Sequence, residues 1–446
     1  MQIVRSTQVA VGFSAVFFLA PMTLQAQEAG FIEDSSLTLD TRQWYSHEIA
    51  RKDNYYTAHT SDGVRKVHDR TAWSLSAKLD YVSGFTQGMV GFGLDLSLYS
   101  VVALERSKLA TAGGGNRLLV NADGGVVDDW SKLGIAALKF KVADTVAKVG
   151  RHQVRTPVMG FSDTRMPPSS YNGASLESHD IEGLTIKSGY FDRGTPRTAA
   201  GSEALHPTYG SRLVTSDWIA YGGADYLSKS GWRASAYTSR FKDIWDRQYL
   251  GAGRQFNWFD IATDVQVDFY NTQSSGSEVA GKIAQQAYGL TFTPKYKNHT
   301  LKLSYQQING DEYFDLVSES NAFTLPNSQL SNYNGPNERS FQINYINDFA
   351  AYGVPGFKTN LWYIKGWGID GTHYDGGTNG IYTSVLKQDN ESHHEIAAFA
   401  SYVLQSGQLK GANVFGGYVW HRGSGHQLEG NVEEFRLVFN VPIKIF

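Results

Sequence analysis

From Trp73 to Phe446 this chain keeps returning to a period of two. Ile261, Thr263, Val265, Val267 and Phe269 alternate with Asp260, Ala262, Asp264, Gln266 and Asp268. Trp73, Leu75, Ala77, Leu79 and Tyr81 alternate in the same way with Ser74, Ser76, Lys78 and Asp80. Successive side chains of a strand point to opposite faces, so each segment carries one apolar and one polar face. The pattern recurs at 90–98, 134–142, 184–191, 218–226, 232–240, 288–296, 301–307, 341–349, 357–365, 396–404, 414–420 and 435–445.

The start of the chain has a different character. Arg5 precedes an apolar run over residues 9–21, and Leu24, Gln25 and Ala26 form a small-residue site, the layout of a secretory leader cut after Ala26. The run is shorter than the roughly 17 residues that span a bilayer comfortably, which favours export over anchoring. Residues 1–26 are therefore expected to be a signal peptide, and residues 27–446 a single domain with no candidate transmembrane helix.

Cysteine is absent, which excludes a disulfide framework and thiolate metal sites. With 46 Gly, 25 Tyr, 24 Phe and 10 Trp, the chain is rich in tight turns and in aromatics suited to a membrane interface. A mean hydropathy of -0.33 suits strands of which one residue in two meets lipid. A net charge of -3 argues against a nucleic-acid partner, because tracking phosphates takes a strong basic excess.

An exported chain with this many long alternating segments reads as all-β, a transmembrane antiparallel β-barrel. A soluble sandwich would alternate too, but open sheets seldom reach such strand numbers, and in lipid closure is obligatory because every backbone group needs a partner. Strands of about ten residues leave room for roughly 16 to 18, enough for a water-filled lumen. Long polar stretches at 105–128, 155–178, 195–215, 312–339 and 369–391 are expected to be loops at the mouth or folded inward. Gly113, Gly114 and Gly115 lack the Lys and Ser/Thr of a phosphate-binding loop and read as linker. In the last segment Pro442 is expected at a bulge or on an unpaired side, and the terminal Phe446 has the opposite parity to Phe435, Leu437 and Phe439.

Several segments together resemble one family, the OprD-type substrate-specific porins, or outer-membrane carboxylate channels. They are YVSGFTQGMVGFGLD from Tyr81, DDWSKLG from Asp128, SDTRMPPSSYNG from Ser162, IEGLTIKSGYF from Ile181, IWDRQYLG from Ile244, INGDEYF from Ile308, GPNERSFQINYINDFAAYGVPGF from Gly335 and YVLQSGQLKG from Tyr402. The resemblance implies a monomeric barrel of 18 strands in the Gram-negative outer membrane, surrounded by lipid and lipopolysaccharide. A terminal aromatic, here Phe446, looks like the recognition signal for the barrel-assembly machinery, although Lys444 departs from the usual apolar residue. The resemblance also implies an eyelet of infolded loops fed by a line of lumenal arginines and lysines. A row of spaced positive charges lowers the barrier for a carboxylate at each step without trapping it.

On that resemblance Arg42 matches the first ladder arginine and Arg165 the arginine of the constricting loop, with Arg70, Lys365 and Arg422 as secondary positions. Asp311, Asp315 and Glu319 are available for the opposed acidic wall, with Asp311 and Asp315 the candidates singled out, and Tyr171 is expected to narrow the opening. The chain departs from the family at Phe415, Gly417 and Trp362, which stand where arginines are usual, and at His393, His394 and Glu395. The thinner ladder keeps a second reading open beside small carboxylates and amino acids, namely neutral solutes such as sugars or general diffusion.

Other classes find less support. Ser392 beside His393 would point to opposite faces of a strand, and Ser424 lies between Gly423 and Gly425, a poor place to hold a nucleophile, so no enzyme is expected. His393 and His394 leave one imidazole on the lumen side, a weak metal site, while Asp128 and Asp129 offer oxygen donors to calcium. No cofactor is expected. A barrel filled by its own side chains, without transport, is the remaining rival.

Overall fold

The structure, a computed structural model, describes residues 30–60, 63–106, 127–198, 200–320 and 324–446. The leader and the glycine trio at 113–115 lie outside the described residues. The strands are β1 (Ser36–Ala50), β2 (Tyr56–Thr60), β3 (Gly63–Val67), β4 (Asp69–Val82), β5 (Gly91–Arg106), β6 (Asp129–Val142) and β7 (Thr145–His152). They continue as β8 (Ser170–Ile181), β9 (Leu184–Thr195), β10 (Glu203–Ala204), β11 (Ile219–Leu227), β12 (Trp232–Phe241), β13 (Trp245–Trp258) and β14 (Ile261–Ser274). The last are β15 (Ala284–Tyr296), β16 (His299–Asn309), β17 (Arg339–Asp348), β18 (Phe357–Ile369), β19 (Glu391–Val403), β20 (Asn413–Gly423) and β21 (Val432–Lys444).

Eighteen of these form a closed antiparallel barrel in sequence order; β2 and β3 pair only with each other, and the two-residue β10 adds to the top of β9. Closure is made by β1 against β21, from Thr38 opposite Lys444 to Ala50 opposite Val432. No edge is left to pair in lipid, which is the condition for a sheet to span a bilayer. Connections at one end are short, such as 143–144, 182–183, 259–260 and 297–298, while the other end carries 153–169, 196–218, 310–338 and 370–390.

The alternation maps onto the two surfaces. Leu98, Leu138 and Leu250 are more than half exposed on the outside, where lipid covers them, and Lys302, Ser304, Gln306, Gln342 and Asn344 are buried on the inside. Aromatics ring the outer face near both ends: Tyr45 meets Trp73 and Phe435 toward the loops, and Phe92 meets Phe140 toward the turns. The hydrophobic core is inside the barrel, where Met159, Tyr171, Phe191, Tyr237, Tyr249, Tyr270, Phe314 and Val317 pack the infolded loops against the wall.

This inner core explains where the pattern blurs. In β13 the inward residues Trp245 and Tyr249 are apolar while the outward Asp246 and Gln248 are polar, so the alternation inverts near the loop end. The expected loop at 155–178 is corrected in its second half, because β8 begins at Ser170. Its sequence SYNGASLESHDI carries turn formers, and pairing to β7 and β9 overrides them. In β6 a bulge at Gly134 switches parity: Ser97 opposes Ile135 and Leu98 opposes Leu133. A Cβ on Gly134 would stand 2.2 Å from the Tyr99 ring, so the close approach demands glycine. Pro442 pairs with Asp40 of β1 without a register shift, beyond Asn440 where the β20 ladder stops.

Candidate functional site

The segment 153–169 leaves the β7–β8 wall and crosses the lumen. It folds back on itself through Phe161 N–H to Val154 O at 3.0 Å and Ser169 N–H to Ser162 O at 3.0 Å. On one side the Tyr270 hydroxyl of β14 donates to Pro157 O at 2.9 Å. On the other, nearly opposite in barrel order, Arg42 of β1 donates from Nη1 to Asp163 Oδ1 at 3.1 Å and to Arg165 O at 2.8 Å. Arg42 Nε donates to Asn440 Oδ1 of β21 at 2.7 Å, so the guanidinium is a clamp between wall and loop.

Arg197, from the segment 196–218, joins the three inward loops. Its backbone N–H and Nε donate to Glu319 Oε2 at 2.6 and 3.0 Å, and its Nη1 donates to Thr164 Oγ1. Among the described residues the Arg165 side chain makes no hydrogen bond or ion pair. It is half-buried, with Arg197 and Arg436 and the carboxylates Glu48 and Glu434 around it. Burial, and then the Arg197 charge, lower its pKa from the ordinary arginine value, which still leaves it charged. A charge poorly solvated and without a fixed partner is suited to a mobile anion.

The other expected residues fall elsewhere. Arg70 is buried against Glu48, donating from both Nε and Nη2 to Oε2, with the Tyr56 ring 3.9 Å away. Asp315 is buried and accepts from Thr208 N–H, Tyr209 N–H and the Tyr382 hydroxyl at 2.8, 2.9 and 2.8 Å, tying three loops together. Burial raises its pKa. Tyr171 is buried, its hydroxyl donating to Gly160 O at 3.2 Å and Val317 O at 3.4 Å. Asp311, half-buried, accepts from Asn337 Nδ2 at 2.8 Å.

Lys365 and Arg422 have the outward parity. Lys365 follows Leu361 and Tyr363 on the lipid side of β18, and Arg422 follows Tyr418 and Trp420 on β20, paired to Glu433. Their positions as lumenal residues are corrected accordingly: each is one residue out of phase with the inner face.

The wall beside the clamp brings in Arg436 and Phe399, not singled out in the sequence, beside Trp362 and Phe415, which stood out there only as departures from the family. Arg436 of β21 chelates Glu434 through Nε and Nη2, both at 2.7 Å, and lies 4.7 Å above the Trp44 ring. The clean outward face Phe435, Leu437 and Phe439 already put Arg436 on the opposite side. Next to it Trp362 and Phe399 stack at 5.1 Å and 11°, and Phe399 leans on Phe415 at 6.4 Å. Trp362 is held by donating from Nε1 to Glu395 Oε1 at 2.6 Å. Together they line an open pocket bordered by Asn360, Lys358 and Arg436. Two of the three rings, Trp362 and Phe415, are positions where the resemblance led one to expect arginine.

Comparison with known proteins accords with this architecture. A family model described as outer membrane porin, OprD family, matches residues 29–445. Porin D of Pseudomonas aeruginosa is 34% identical over 436 residues, covering 94% of this chain and 93% of the relative. The crystal structure of Pseudomonas aeruginosa OccD3 (OpdP) superposes with a TM-score of 0.82 at 38% identity, covering 94% of this chain and 93% of that one. That of Pseudomonas aeruginosa OccK2 (OpdF) in complex with glucuronate superposes at 0.78 with 26% identity, covering 94% and 100%.

Proposed function

Since this chain belongs to the OprD family of outer membrane porins, and is thus a channel of the Gram-negative outer membrane for small solutes, we propose that it favours small carboxylates bearing a flat ring. The observation that carries this reading is the juxtaposition of the Trp362–Phe399–Phe415 face with Arg436, while Met166 of the crossing loop shares an apolar cluster with Phe415 and the neighbouring Arg165 feels the Arg436 charge. A ring gains dispersion and stacking energy of about 1 kcal/mol on such a face, while the carboxylate meets the guanidinium groups. OccK2 (OpdF), of similar fold, has been solved in complex with glucuronate, a small carboxylate. In this reading the leader is removed, the barrel is a monomer among lipopolysaccharide, and Phe446 is read by the assembly machinery. The solute gradient alone drives passage.

The test is single-channel current in planar bilayers with benzoate, acetate, arginine and glucose added in turn. Benzoate is expected to block at several-fold lower concentration than acetate, with the difference removed by Trp362→Ala. Equal block by both acids would overturn the ring preference, and block by glucose alone would move the assignment to neutral sugars.

A further inference from the structure

Three loop-end residues outside the constriction meet in an arrangement that the channel reading does not use. His393 opens β19, His421 closes β20, and Glu429 is in the connection 424–431 that follows. Both histidines are buried, Glu429 is half-buried, and one potential ligand atom from each lies within 4.8 Å of the others. His394 points outward, so His393 finds its companion on the neighbouring strand, diagonally across a ladder that pairs Glu395 with His421.

Proton counting makes the arrangement informative. His393 Nε2 is 2.7 Å from Glu338 Oε1, His393 Nδ1 is 2.8 Å from His421 Nε2, and His421 Nδ1 is 2.7 Å from Gly430 O. The outer partners are a carboxylate and a carbonyl, which only accept. Three contacts in series therefore call for three bridging hydrogens, and two neutral imidazoles carry two. Any neutral tautomer pair leaves two lone pairs facing each other, and a cation must make up the difference. If the outer nitrogens keep their hydrogens, the inner lone pairs of His393 Nδ1 and His421 Nε2 converge beside the Glu429 carboxylate. The second-layer contacts, a carboxylate on one imidazole and a backbone carbonyl on the other, are those that orient metal-binding histidines. Without an ion these lone pairs are met by Gln427: its Oε1 accepts from Glu429 N–H and Gly430 N–H at 3.1 and 2.9 Å, and its Nε2 donates to His393 Nδ1 at 3.1 Å and to Glu429 Oε2, so the amide stands in the cation's place and must turn aside when one binds.

We propose that His393 Nδ1, His421 Nε2 and the Glu429 carboxylate form a site for a divalent transition metal of the zinc class at the mouth of the barrel. Two imidazoles and one carboxylate suit such ions, whereas calcium and magnesium prefer all-oxygen sets. Tetrahedral zinc with bonds of about 2.05 Å separates its nitrogens by roughly 3.3 Å, so the rings need open by about half an ångström. The bound ion would fasten the 424–431 connection to β19 and β20 and, through Glu338, to the base of the 310–338 loop. The site is independent of the substrate reading.

The experiment is calorimetric titration of Zn2+ into the full folded barrel in detergent after EDTA treatment and its removal. One ion per barrel is expected, with at least tenfold weaker binding in Glu429→Gln, no saturable binding in His421→Ala, and no change in His394→Ala. Resistance to SDS without heating verifies that each variant is folded. Should His421→Ala not fold, Glu429→Gln, at the solvent edge, decides. Absence of saturable Zn2+ uptake by the wild type would overturn the proposal and assign the bridging cation as a proton. Unchanged affinity in the folded His421→Ala protein, or in Glu429→Gln where that variant decides, would overturn it equally.

Discussion

Arg42 on the barrel wall and Asp163 on the crossing loop stand 3.1 Å apart, and the same Nη1 reaches the carbonyl of Arg165 at 2.8 Å. One side chain thus holds the backbone that presents the Arg165 guanidinium, which has no hydrogen-bond or ion-pair partner among the described residues. A charge-assisted hydrogen bond contributes about 1.5–3 kcal/mol, and losing two would release this edge of the loop. Arg42→Ala is expected to raise single-channel conductance severalfold and to weaken solute discrimination, with Arg42→Lys intermediate. Planar-bilayer recordings check this; unchanged conductance in the alanine variant would remove the clamp role.

Arg70 and Glu48 are a different kind of pair, buried and capped by the Tyr56 ring. Removing one member leaves a desolvated charge, which costs about 3–5 kcal/mol. Arg70→Met should therefore lower unfolding stability in urea by about that amount, and Arg70→Met with Glu48→Gln should recover most of it. Equal stabilities of the single and double variants would show that the pair is not coupled.

Outward parity makes Lys365 and Arg422 a control. Lys365→Ala and Arg422→Ala are expected to leave conductance and block by carboxylates within twofold of wild type, whereas Arg436→Ala on the inner face alters block. Bilayer recordings of the three variants decide the matter.

Glu312, at the base of the 310–338 loop, accepts from Ala284 N–H at 3.0 Å. Burial pushes its pKa from 4.5 up to about 7. The folded state then binds the proton more tightly than the unfolded state, so stability is greatest below pH 4.5, falls as pH rises toward about 7, and is level above. The span is at most about 3 kcal/mol. Thermal midpoints of the barrel in detergent should show this decline in the wild type and a flatter profile in Glu312→Gln; parallel profiles would contradict it.

How much of this was legible in the sequence depended on which face a residue occupies. Strands with a plain lipid face, such as β4 and β14, announce themselves, because lipid accepts only apolar side chains there. Strands β1 and β13 do not, because loops packed inside the lumen make Trp44, Trp245 and Tyr249 apolar on the inner face. Arg42 and Arg165 were legible through family resemblance and come together at the crossing loop. Parity within β18 and β20 would have set Lys365 and Arg422 outside. The packed roles of Asp315 and Tyr171 were not legible, since each meets a residue more than 60 positions away in sequence, Tyr382 and Val317 respectively. The His393–His421 contact needed the strand register, which alternation alone does not supply.

The proposed selectivity rests on the Arg165 guanidinium beside the aromatic wall. Its most direct test is the initial rate of benzoate uptake against uptake of uncharged benzamide, in liposomes carrying wild type or Arg165→Ala. A severalfold preference for benzoate is expected in the wild type, falling to near unity in the variant. Equal rates in the wild type, or a preference that survives the substitution, would contradict it.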